Sequence, residues 1–334
     1  MTEKEGMLRA EIAAYRHALD QIKSSLSPDT PISNQRYKEI YDQAIGIVIH
    51  GRELLCDEST LEESEKDTLG AYLQQEILPL ILLTETTSRF YSKPLGYSGD
   101  YVAIDNMYHY KGGGKGRLGP LIDRIHLDAP TSVVVRNRRK LLADYLTDFV
   151  QQAAAKVHIT CIACGPAREV FDMFERLPDP TKASVTLIDS DGEAVQFVNQ
   201  LIQETGLSAQ IQTIHESLPN LMTGRKKLNI PEQDLVYSIG VIDYFQDKYV
   251  IKLLNFIHSL LQIKGKILLG NFHKRNKFKE YMDYVLEWKL VHRNEEDMNN
   301  LFRQSAFHSI QNIFFEDMKY NMFVEAIKKQ SADS

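Results

Sequence analysis

Strands that alternate with helices from residue 157 onward constrain the fold of this chain more than any other feature. "VHITCIAC" (157–164) reads as a short apolar strand, and "GPAREVFDMFERLP" (165–178) follows it as an amphipathic helix. "SVTLIDSD" (184–191) is a second strand, and "DLVYSIGVIDYF" (234–245) and "KGKILLGNF" (264–272) are two more, with helical stretches between them. Such alternation predicts βαβ units and therefore a parallel sheet.

The two ends of the chain differ from this pattern. "SIQNIFFED" and "KYNMFVEAI" are two strands joined by a tight connection, which predicts a C-terminal antiparallel hairpin. Residues 1–90 carry apolar residues at spacings of three and four and read as helices. The predicted fold is α/β: a Rossmann-like doubly wound sheet with a C-terminal antiparallel hairpin, in residues 131–334. Residues 1–130 are predicted to form a helical N-terminal cap.

Within the cap, Pro79 is expected to kink or restart a helix, and "SLSPDTPIS" (25–33) to separate two helices. The aromatic-rich stretch "RFYSKPLGYSGDYVAIDNMY" (89–108) is too irregular for a helix and too rich in large side chains for a linker. "KGGGKGRLG" (111–119) reads as a mobile connection, because it lacks the spacing of a phosphate-binding loop.

Composition narrows the class of protein. The chain has 334 residues, a formal net charge of −6 and a pI near 6.0, which argue against a nucleic-acid surface. Its start has no apolar signal region, and no apolar run is long enough for a transmembrane helix. Three cysteines fit a reducing cytoplasm better than a disulfide framework. The expected protein is cytoplasmic, and a homodimer is left open.

The loop after the first strand indicates the kind of ligand. A dinucleotide fingerprint needs three glycines, and "CIACGPARE" contains only Gly165. A loosened glycine loop suits a ligand without phosphates, such as S-adenosylmethionine (SAM). Pro166 is predicted to occupy the first helical position, where its missing N–H does no harm. The helix that follows offers N–H donors to the ligand.

Other polar residues are expected at the carboxyl ends of the strands, where ligands of open α/β sheets bind. Asp189 can accept hydrogen bonds from both ribose hydroxyls, although a helix N-cap role is the alternative. Ser238 and Gly240 end a later strand, and Asp243 and Tyr244 are expected to follow at the lip of the cleft.

A buried arginine and a cysteine pair each leave two interpretations open. Arg138 falls on the apolar face of helix 131–150, so it is either in a structural ion pair or binds a carboxylate. Cys161 and Cys164 form C-x-x-C, but zinc needs two further ligands and Cys56 is the only other thiol. A redox or metal role is therefore not expected. Trp288 is either a core aromatic or a substrate residue. Arg293 is either part of a surface ion pair or a substrate residue.

Residues 157–327 resemble a class I SAM-dependent methyltransferase domain. The usual first motif of that class is an acidic residue followed by Gly-x-Gly-x-Gly, and this chain has Cys161, Ala163, Gly165 and Ala167 in those places. "ACGPARE", "KPLGYSGDY", "VRNRR" and "EWKLVHRNEEDM" together resemble bacterial enzymes that make 3-hydroxy fatty acid methyl esters as quorum-sensing signals. The resemblance implies SAM as cofactor and a small-molecule acceptor, with residues 89–108 covering the cofactor and shaping the acceptor pocket. No metal is expected.

Site residues follow from these motifs and from the resemblance. The candidate catalytic residues are Tyr97, Asp100, Asp243 and His273. The candidate cofactor-binding residues are Arg138, Ala163, Gly165, Pro166, Asp189, Ser190, Ser217, Ser238 and Gly240. The candidate substrate-binding residues are Arg89, Tyr91, Tyr101 and Tyr244.

Two further classes of function stay open at this point. One alternative is a different N- or O-methyltransferase, or another SAM-using enzyme of natural-product biosynthesis. The other is a non-catalytic SAM-binding or interaction protein. A dinucleotide oxidoreductase is disfavoured by the missing glycines.

Overall fold

A computed structural model describes residues 3–27, 31–55 and 62–330. The chain divides into two compact units, Met1–Val135 with Lys277–Lys289, and Arg136–Asn276 with Leu290–Ser334. The boundary between residues 130 and 131 stays a prediction. The compact units add one feature that the sequence did not suggest, since the short segment Lys277–Lys289 belongs with the N-terminal helices.

The elements are numbered in chain order within the described residues. The helices are α1 (Glu3–Ser25), α2 (Asn34–Leu55), α3 (Glu63–Ile81), α4 (Thr86–Ser92), α5 (Tyr101–His109), α6 (Gly119–Asp128), α7 (Pro130–Gln152), α8 (Arg168–Arg176), α9 (Gly192–Thr205), α10 (Leu218–Met222), α11 (Asp247–Leu260), α12 (Lys279–Tyr284) and α13 (Glu295–Arg303). The strands are β1 (Val157–Ile162), β2 (Ala183–Asp189), β3 (Ile211–His215), β4 (Gln233–Ile239), β5 (Leu261–Phe272), β6 (Asn312–Phe315) and β7 (Asn321–Ile327).

The first unit is helical, which confirms the prediction for its N-terminal part. Helix α3 runs through Pro79 without restarting, so a restart there is wrong, and the alternative of a kink stays a prediction. The stretch 89–108 is also more regular than predicted. Most of it lies in α4 and α5, and its irregular part is the short connection between them. Asp100 allows α5 to begin there, because its side chain accepts a hydrogen bond from the Ala103 N–H.

The described part of the second unit contains a seven-stranded sheet in the order β3-β2-β1-β4-β5-β7-β6. Neighbouring strands from β3 to β5 pair in parallel, whereas β5–β7 and β6–β7 are antiparallel. This arrangement confirms the parallel sheet and the C-terminal hairpin. The chain order reverses direction between β1 and β4, which is the switch point where ligands of such sheets bind.

Apolar side chains cover both faces of this sheet. Helices α7, α8 and α9 pack on one face through residues such as Leu142, Val170 and Val198. Helices α10, α11 and α13 pack on the other face through residues such as Leu221 and Leu253. A parallel sheet buried on both faces explains why its strands read as nearly continuous apolar runs.

Two local predictions in this unit are wrong. Strand β3, "IQTIH", was not predicted, because it lies at the edge of the sheet and carries little apolar alternation. Helix α8 begins at Arg168 rather than at Pro166. The N-cap residue of α8 is Ala167, whose left-handed backbone (φ 48°) delays the first helical turn.

One buried carboxylate organises the C-terminal hairpin. Glu316 accepts backbone hydrogen bonds from Met318, Tyr320 and Asn321 at 2.8, 2.8 and 3.1 Å. Its second oxygen also accepts from the Asn137 side-chain amide at 3.1 Å. The connection between β6 and β7 is therefore joined to α7 one residue before Arg138.

We expect Glu316→Ala to lower the free energy of unfolding by about 2–4 kcal/mol, because it leaves buried N–H donors without a charged acceptor. Asp317→Ala is the matched control, since Asp317 is the exposed neighbour in the same turn, and it should change stability by less than about 0.5 kcal/mol. Urea unfolding of both variants measures the difference. Equal effects would show that Glu316 does not organise the turn.

Candidate functional site

Three residues of the β1–α8 loop adopt the left-handed backbone conformation that is typical of glycine, although only one of them is glycine. Ala163, Gly165 and Ala167 adopt left-handed conformations, with φ of 55°, 52° and 48°. These are the places in which the methyltransferase motif would carry glycines. A left-handed alanine costs about 1–2 kcal/mol. Backbone strain of this kind concentrates at functional sites, where the surrounding structure maintains it.

Asp189 holds this loop in place from the neighbouring strand. Its Oδ2 accepts from the Gly165 N–H at 2.8 Å, and its Oδ1 accepts from the Asp191 N–H at 2.9 Å. Burial raises the pKa of Asp189, while these N–H groups oppose the rise. The N-cap of α9 is Asp191 and not Asp189. Each Asp189 oxygen keeps a lone pair for a further donor.

The space beside Gly165 is open. A Cβ atom added to Gly165 would meet no protein atom within 4 Å. Pro166 follows it in the loop before α8. The loop and the Asp189 carboxylate together form a cradle with room for a ligand.

Ser190 and Ser217 lie at the same edge of the sheet, after the ends of β2 and β3. Ser190 is exposed, and its carbonyl lies 3.1 Å from Nε2 of His215. Ser217 is the N-cap residue of the short helix α10, and its N–H donates to the Glu216 carboxylate. The parallel pairing of β2 with β3 places both serines near Asp189.

Ser238 and Gly240 end strand β4 in different ways. The Ser238 hydroxyl is fully buried and donates to the Ile162 carbonyl at 2.6 Å, so it joins β4 to β1. Gly240 has φ of 93°, and a Cβ atom there would lie 3.3 Å from Nη1 of Arg138. A glycine at this position therefore allows the guanidinium to approach the backbone closely.

Arg138 is buried, with 7% of its surface exposed. It makes no hydrogen bond or ion pair with any residue in the described part of the chain. The interpretation as a structural ion pair is therefore not supported by a contact. Arg138 acts on two buried carboxylates from a distance. It lowers the pKa of both Glu169 and Asp243, against the larger effect of their burial. A buried cation without a direct partner is costly unless a ligand supplies the anion.

Asp243 lies in the short 3₁₀ turn Ile242–Tyr244 after β4 and is 1% exposed, so it is not at the lip of a cleft. Its Oδ1 accepts from the Phe272 N–H at 2.8 Å. Its Oδ2 is buried and has no hydrogen-bond partner among the described residues. Burial raises the pKa of Asp243 to about 6, although the Phe272 N–H, Arg138 and Arg293 all favour the charged form. Tyr244, in contrast, is 41% exposed.

Sequence reasoning missed several buried polar residues near these strand ends. Arg293 is only 2% exposed, although it pairs with the exposed Asp247 at 2.8 Å, and it also donates to the carbonyls of Ile242 and Phe245. Glu169 is buried on α8 and accepts from the Tyr237 hydroxyl at 2.9 Å. Glu169 lies beside the apolar residues of α8, so the signal that marked Arg138 could have found it, whereas Arg293 lies outside the helices and strands and no periodicity marks it.

Asn321 is the least satisfied of these missed residues. It begins β7 opposite Phe272, and both atoms of its buried amide lack partners within the described ranges. A Cβ atom on Gly270 would lie 3.2 Å from the amide oxygen of Asn321. The ends of β4, β5 and β7 therefore hold more unpaired polar atoms than a purely structural core needs.

The cysteine pair has no features of a reactive or metal-binding site. Cys161 and Cys164 are free and buried, and burial raises the pKa of both thiols well above its usual value. A raised thiol pKa disfavours the reactive thiolate. Cys56 lies outside the described residues. Within residues 3–27, 31–55 and 62–330, no group of three or more His, Cys, Asp or Glu side chains is arranged to hold a metal ion.

The N-terminal candidates form a paired arrangement of their own in the first unit. The Arg89 guanidinium binds the fully buried Asp100 carboxylate in a bidentate ion pair, with Nη2 at 2.7 Å from Oδ2. Asp100 also caps α5. Tyr91 and Tyr101 are half-buried, and Tyr97 is 37% exposed. This geometry favours a structural role for Asp100 and Arg89 and leaves the tyrosines as substrate candidates.

His273 is fully engaged in hydrogen bonds. Its Nδ1 accepts from the Arg275 N–H at 3.0 Å, so its Nε2 carries the proton that is donated to Glu295 at 2.9 Å. Both ring nitrogens are occupied, which favours the structural interpretation of this histidine over a catalytic one.

Comparisons with known proteins agree with this geometry. Residues 95–317, about two thirds of the chain, match a family model described as "Putative methyltransferase". The chain belongs to this methyltransferase family, and the protein is an enzyme of that class. No curated protein sequence matches it.

Solved structures resemble it in fold. A possible exported protein from Bordetella parapertussis is 15% identical, with a TM-score of 0.55 and 97% coverage of both chains. The magnesium protoporphyrin IX methyltransferase from Synechocystis PCC 6803, with bound SAH (S-adenosylhomocysteine), is 13% identical, with a TM-score of 0.50. That match covers 73% of this chain and 100% of the other. Among the described helices, none combines the length and apolar character that crossing a membrane requires.

We expect Asp243→Asn to stabilise the protein at neutral pH. Because the folded state raises the pKa of Asp243 to about 6, it binds more protons than the unfolded state between about pH 4 and 6. Stability from this group therefore falls as pH rises through that window, by up to about 3 kcal/mol. The asparagine variant lacks this penalty. Thermal unfolding should show its advantage at pH 7.5 and little difference at pH 4.

A variant that is less stable than the wild type at pH 7.5 would mean that the ionised Asp243 stabilises the fold. Glu175→Gln serves as the control, since Glu175 is an exposed acid near the end of α8 and its change should show no comparable gain at neutral pH.

Proposed function

We propose that the protein is a SAM-dependent methyltransferase for a small-molecule acceptor and that SAM binds at the carboxyl ends of β1, β2 and β4. The observation that carries this proposal is Arg138, a buried guanidinium that has no direct partner in the described part of the chain and approaches the backbone of Gly240. Such a group suits a ligand carboxylate, because the planar fork of arginine matches that shape. SAM ends in a carboxylate of this kind.

The remaining site residues fit the other parts of SAM. Asp189 keeps lone pairs for the ribose hydroxyls, and the open space beside Gly165 leaves room for the nucleoside. Ser190 and Ser217 lie beyond the ends of β2 and β3, on the adenine side of this arrangement. When bound, SAM supplies an electrophilic methyl group on a sulfonium, and its transfer leaves a neutral thioether. The protein's own contribution is to align the acceptor and to exclude water.

The proposed acceptor is a carboxylic acid with an apolar chain, such as a 3-hydroxy fatty acid. A carboxylate is already ionised at neutral pH, so its methylation requires no general base. Two of the candidate bases, Asp100 and His273, are fully occupied by structural hydrogen bonds. This occupation favours an acceptor that arrives deprotonated over an alcohol or an amine.

The first unit contains a small cavity of about 20 Å³ whose lining is of the kind that would contact the apolar part of such an acceptor. Aromatic and aliphatic side chains dominate its lining, which includes Phe90, Met107, Leu286 and Trp288. The buried Thr86 hydroxyl has no partner there among the described residues, so a polar group on the chain has one donor available. Residues 1–130 are proposed as the acceptor-binding part and residues 131–334 as the SAM-binding part. The cytoplasm and a homodimer remain the proposed location and assembly.

We expect Arg138→Met to weaken SAH binding at least tenfold, because the ligand carboxylate loses a charge-assisted partner. The fold should persist, since removing a buried cation without a direct partner is tolerated. Isothermal titration calorimetry of SAH against wild type and variant measures the change.

Arg139→Met is the matched control. Arg139 is the next residue on α7, it pairs with Asp172, and its replacement removes the same charge. SAH affinity should stay within about twofold of the wild type. Failure of the wild type to bind SAH, or equal losses in both variants, would contradict the proposed function.

Trp288 provides a direct test of the acceptor class, because it is the only tryptophan in the chain and lines the cavity. We expect 3-hydroxypalmitate to change its fluorescence emission saturably and 3-hydroxybutyrate to leave it unchanged, since only the longer chain gains enough from the apolar lining to open this cavity of about 20 Å³. Ala129→Leu narrows the cavity and should abolish the response. Ala71→Leu, on an exposed face of α3, should not. A response that is independent of chain length would contradict the assignment.

A further inference from the structure

Arg138 and Asp243 carry opposite charges and are both buried near the end of β4, yet neither contacts the other directly. The two charges are close enough for Arg138 to lower the pKa of Asp243. No ion pair or hydrogen bond joins them within the described residues. Among residues 3–27, 31–55 and 62–330, Arg138 has no direct partner and Asp243 uses one oxygen only. Two buried opposite charges that stay apart leave both desolvation penalties uncompensated.

A single kind of ligand relieves both penalties at once. It must present an anionic group to Arg138 and a cationic donor to Asp243, with both groups close together. An α-amino acid has this pattern, because its carboxylate and its ammonium sit on the same carbon atom. We propose that Asp243 binds the α-ammonium group of the methionine part of SAM, while Arg138 binds its α-carboxylate. This inference rests on the proposed function and assigns Asp243 to cofactor binding rather than to proton transfer.

The surroundings of Asp243 fix the direction of its free oxygen. The Phe272 N–H holds Oδ1 at 2.8 Å. Arg293 holds the two ends of the turn that carries Asp243, donating to the Ile242 carbonyl at 2.9 Å and the Phe245 carbonyl at 2.6 Å. The Asp243 carboxylate is therefore held in place before the ligand arrives, and little side-chain entropy is lost on binding.

Gly240 supports the same assignment from the other side. It lies three residues before Asp243, and the absence of a side chain lets Nη1 of Arg138 approach its backbone. The turn after β4 thus places the Asp243 carboxylate at the same strand end as the Arg138 guanidinium of α7. The proposed acceptor offers Asp243 at most a neutral hydroxyl, whereas an ammonium group offers it a stronger, charge-assisted hydrogen bond.

The test compares two ligands that differ only in the amino-acid part. SAH carries the α-amino acid, and 5′-methylthioadenosine has the same nucleoside and sulfur without it. By calorimetry, Asp243→Asn should weaken SAH binding at least tenfold and leave methylthioadenosine binding within about twofold. The retained methylthioadenosine binding also demonstrates that the variant folds. Glu175→Gln, which removes an exposed acid near the end of α8, should change neither affinity.

Each outcome decides between the possibilities. If Asp243→Asn binds SAH as tightly as the wild type, Asp243 does not bind the ammonium, while the proposed function stands. If the variant loses both ligands equally, Asp243 maintains the whole site and the specific assignment fails. If the wild type binds neither SAH nor methylthioadenosine, the proposed function fails and this inference fails with it.

Discussion

The parallel pairing of β2, β1, β4 and β5 is the constraint on which the site depends. It brings the ends of these strands to one edge of the sheet, although they are far apart in the sequence. Two hydrogen bonds then fix the local geometry there. Asp189 holds the Gly165 N–H from β2, and the Ser238 hydroxyl holds the end of β1 from β4. The loop, the acid and the arginine are neighbours only because the strands are in register.

The site is arranged at some cost to the stability of the protein. Ala163 and Ala167 are held in left-handed conformations, and Arg138 and Asp243 are buried without contacting one another. Each feature is unfavourable in isolation, and together they oppose folding by several kcal/mol. The large apolar cores on both faces of the sheet offset this cost. Strained or unpaired groups that cluster at one strand end are typical of sites shaped for a ligand.

Much of this organisation could be predicted from the sequence. Apolar runs revealed the central strands, because a sheet that is buried on both faces leaves a clear pattern. Arg138 was identified since a charge on an apolar stripe is unusual. The burial of Asp243 and Arg293 could not be predicted, because tertiary packing determines which polar residues lie inside. Strand β3 escaped detection since an edge strand needs little apolar alternation, and Ala167 overrode the preference of Pro166 for a helix start.

The hydrogen bond between Glu316 and Asn137 joins two segments that the ribosome makes at different times. The two residues are 179 positions apart, and they join the C-terminal hairpin to the helix that carries Arg138. Strand β7, the last strand in the chain, also inserts between β5 and β6. At about 5–20 residues per second, the ribosome needs roughly 10–40 seconds to make the intervening segment. Helix α7 therefore leaves the ribosome long before its hairpin contact exists, and the binding site reaches its final form only after the hairpin has been made.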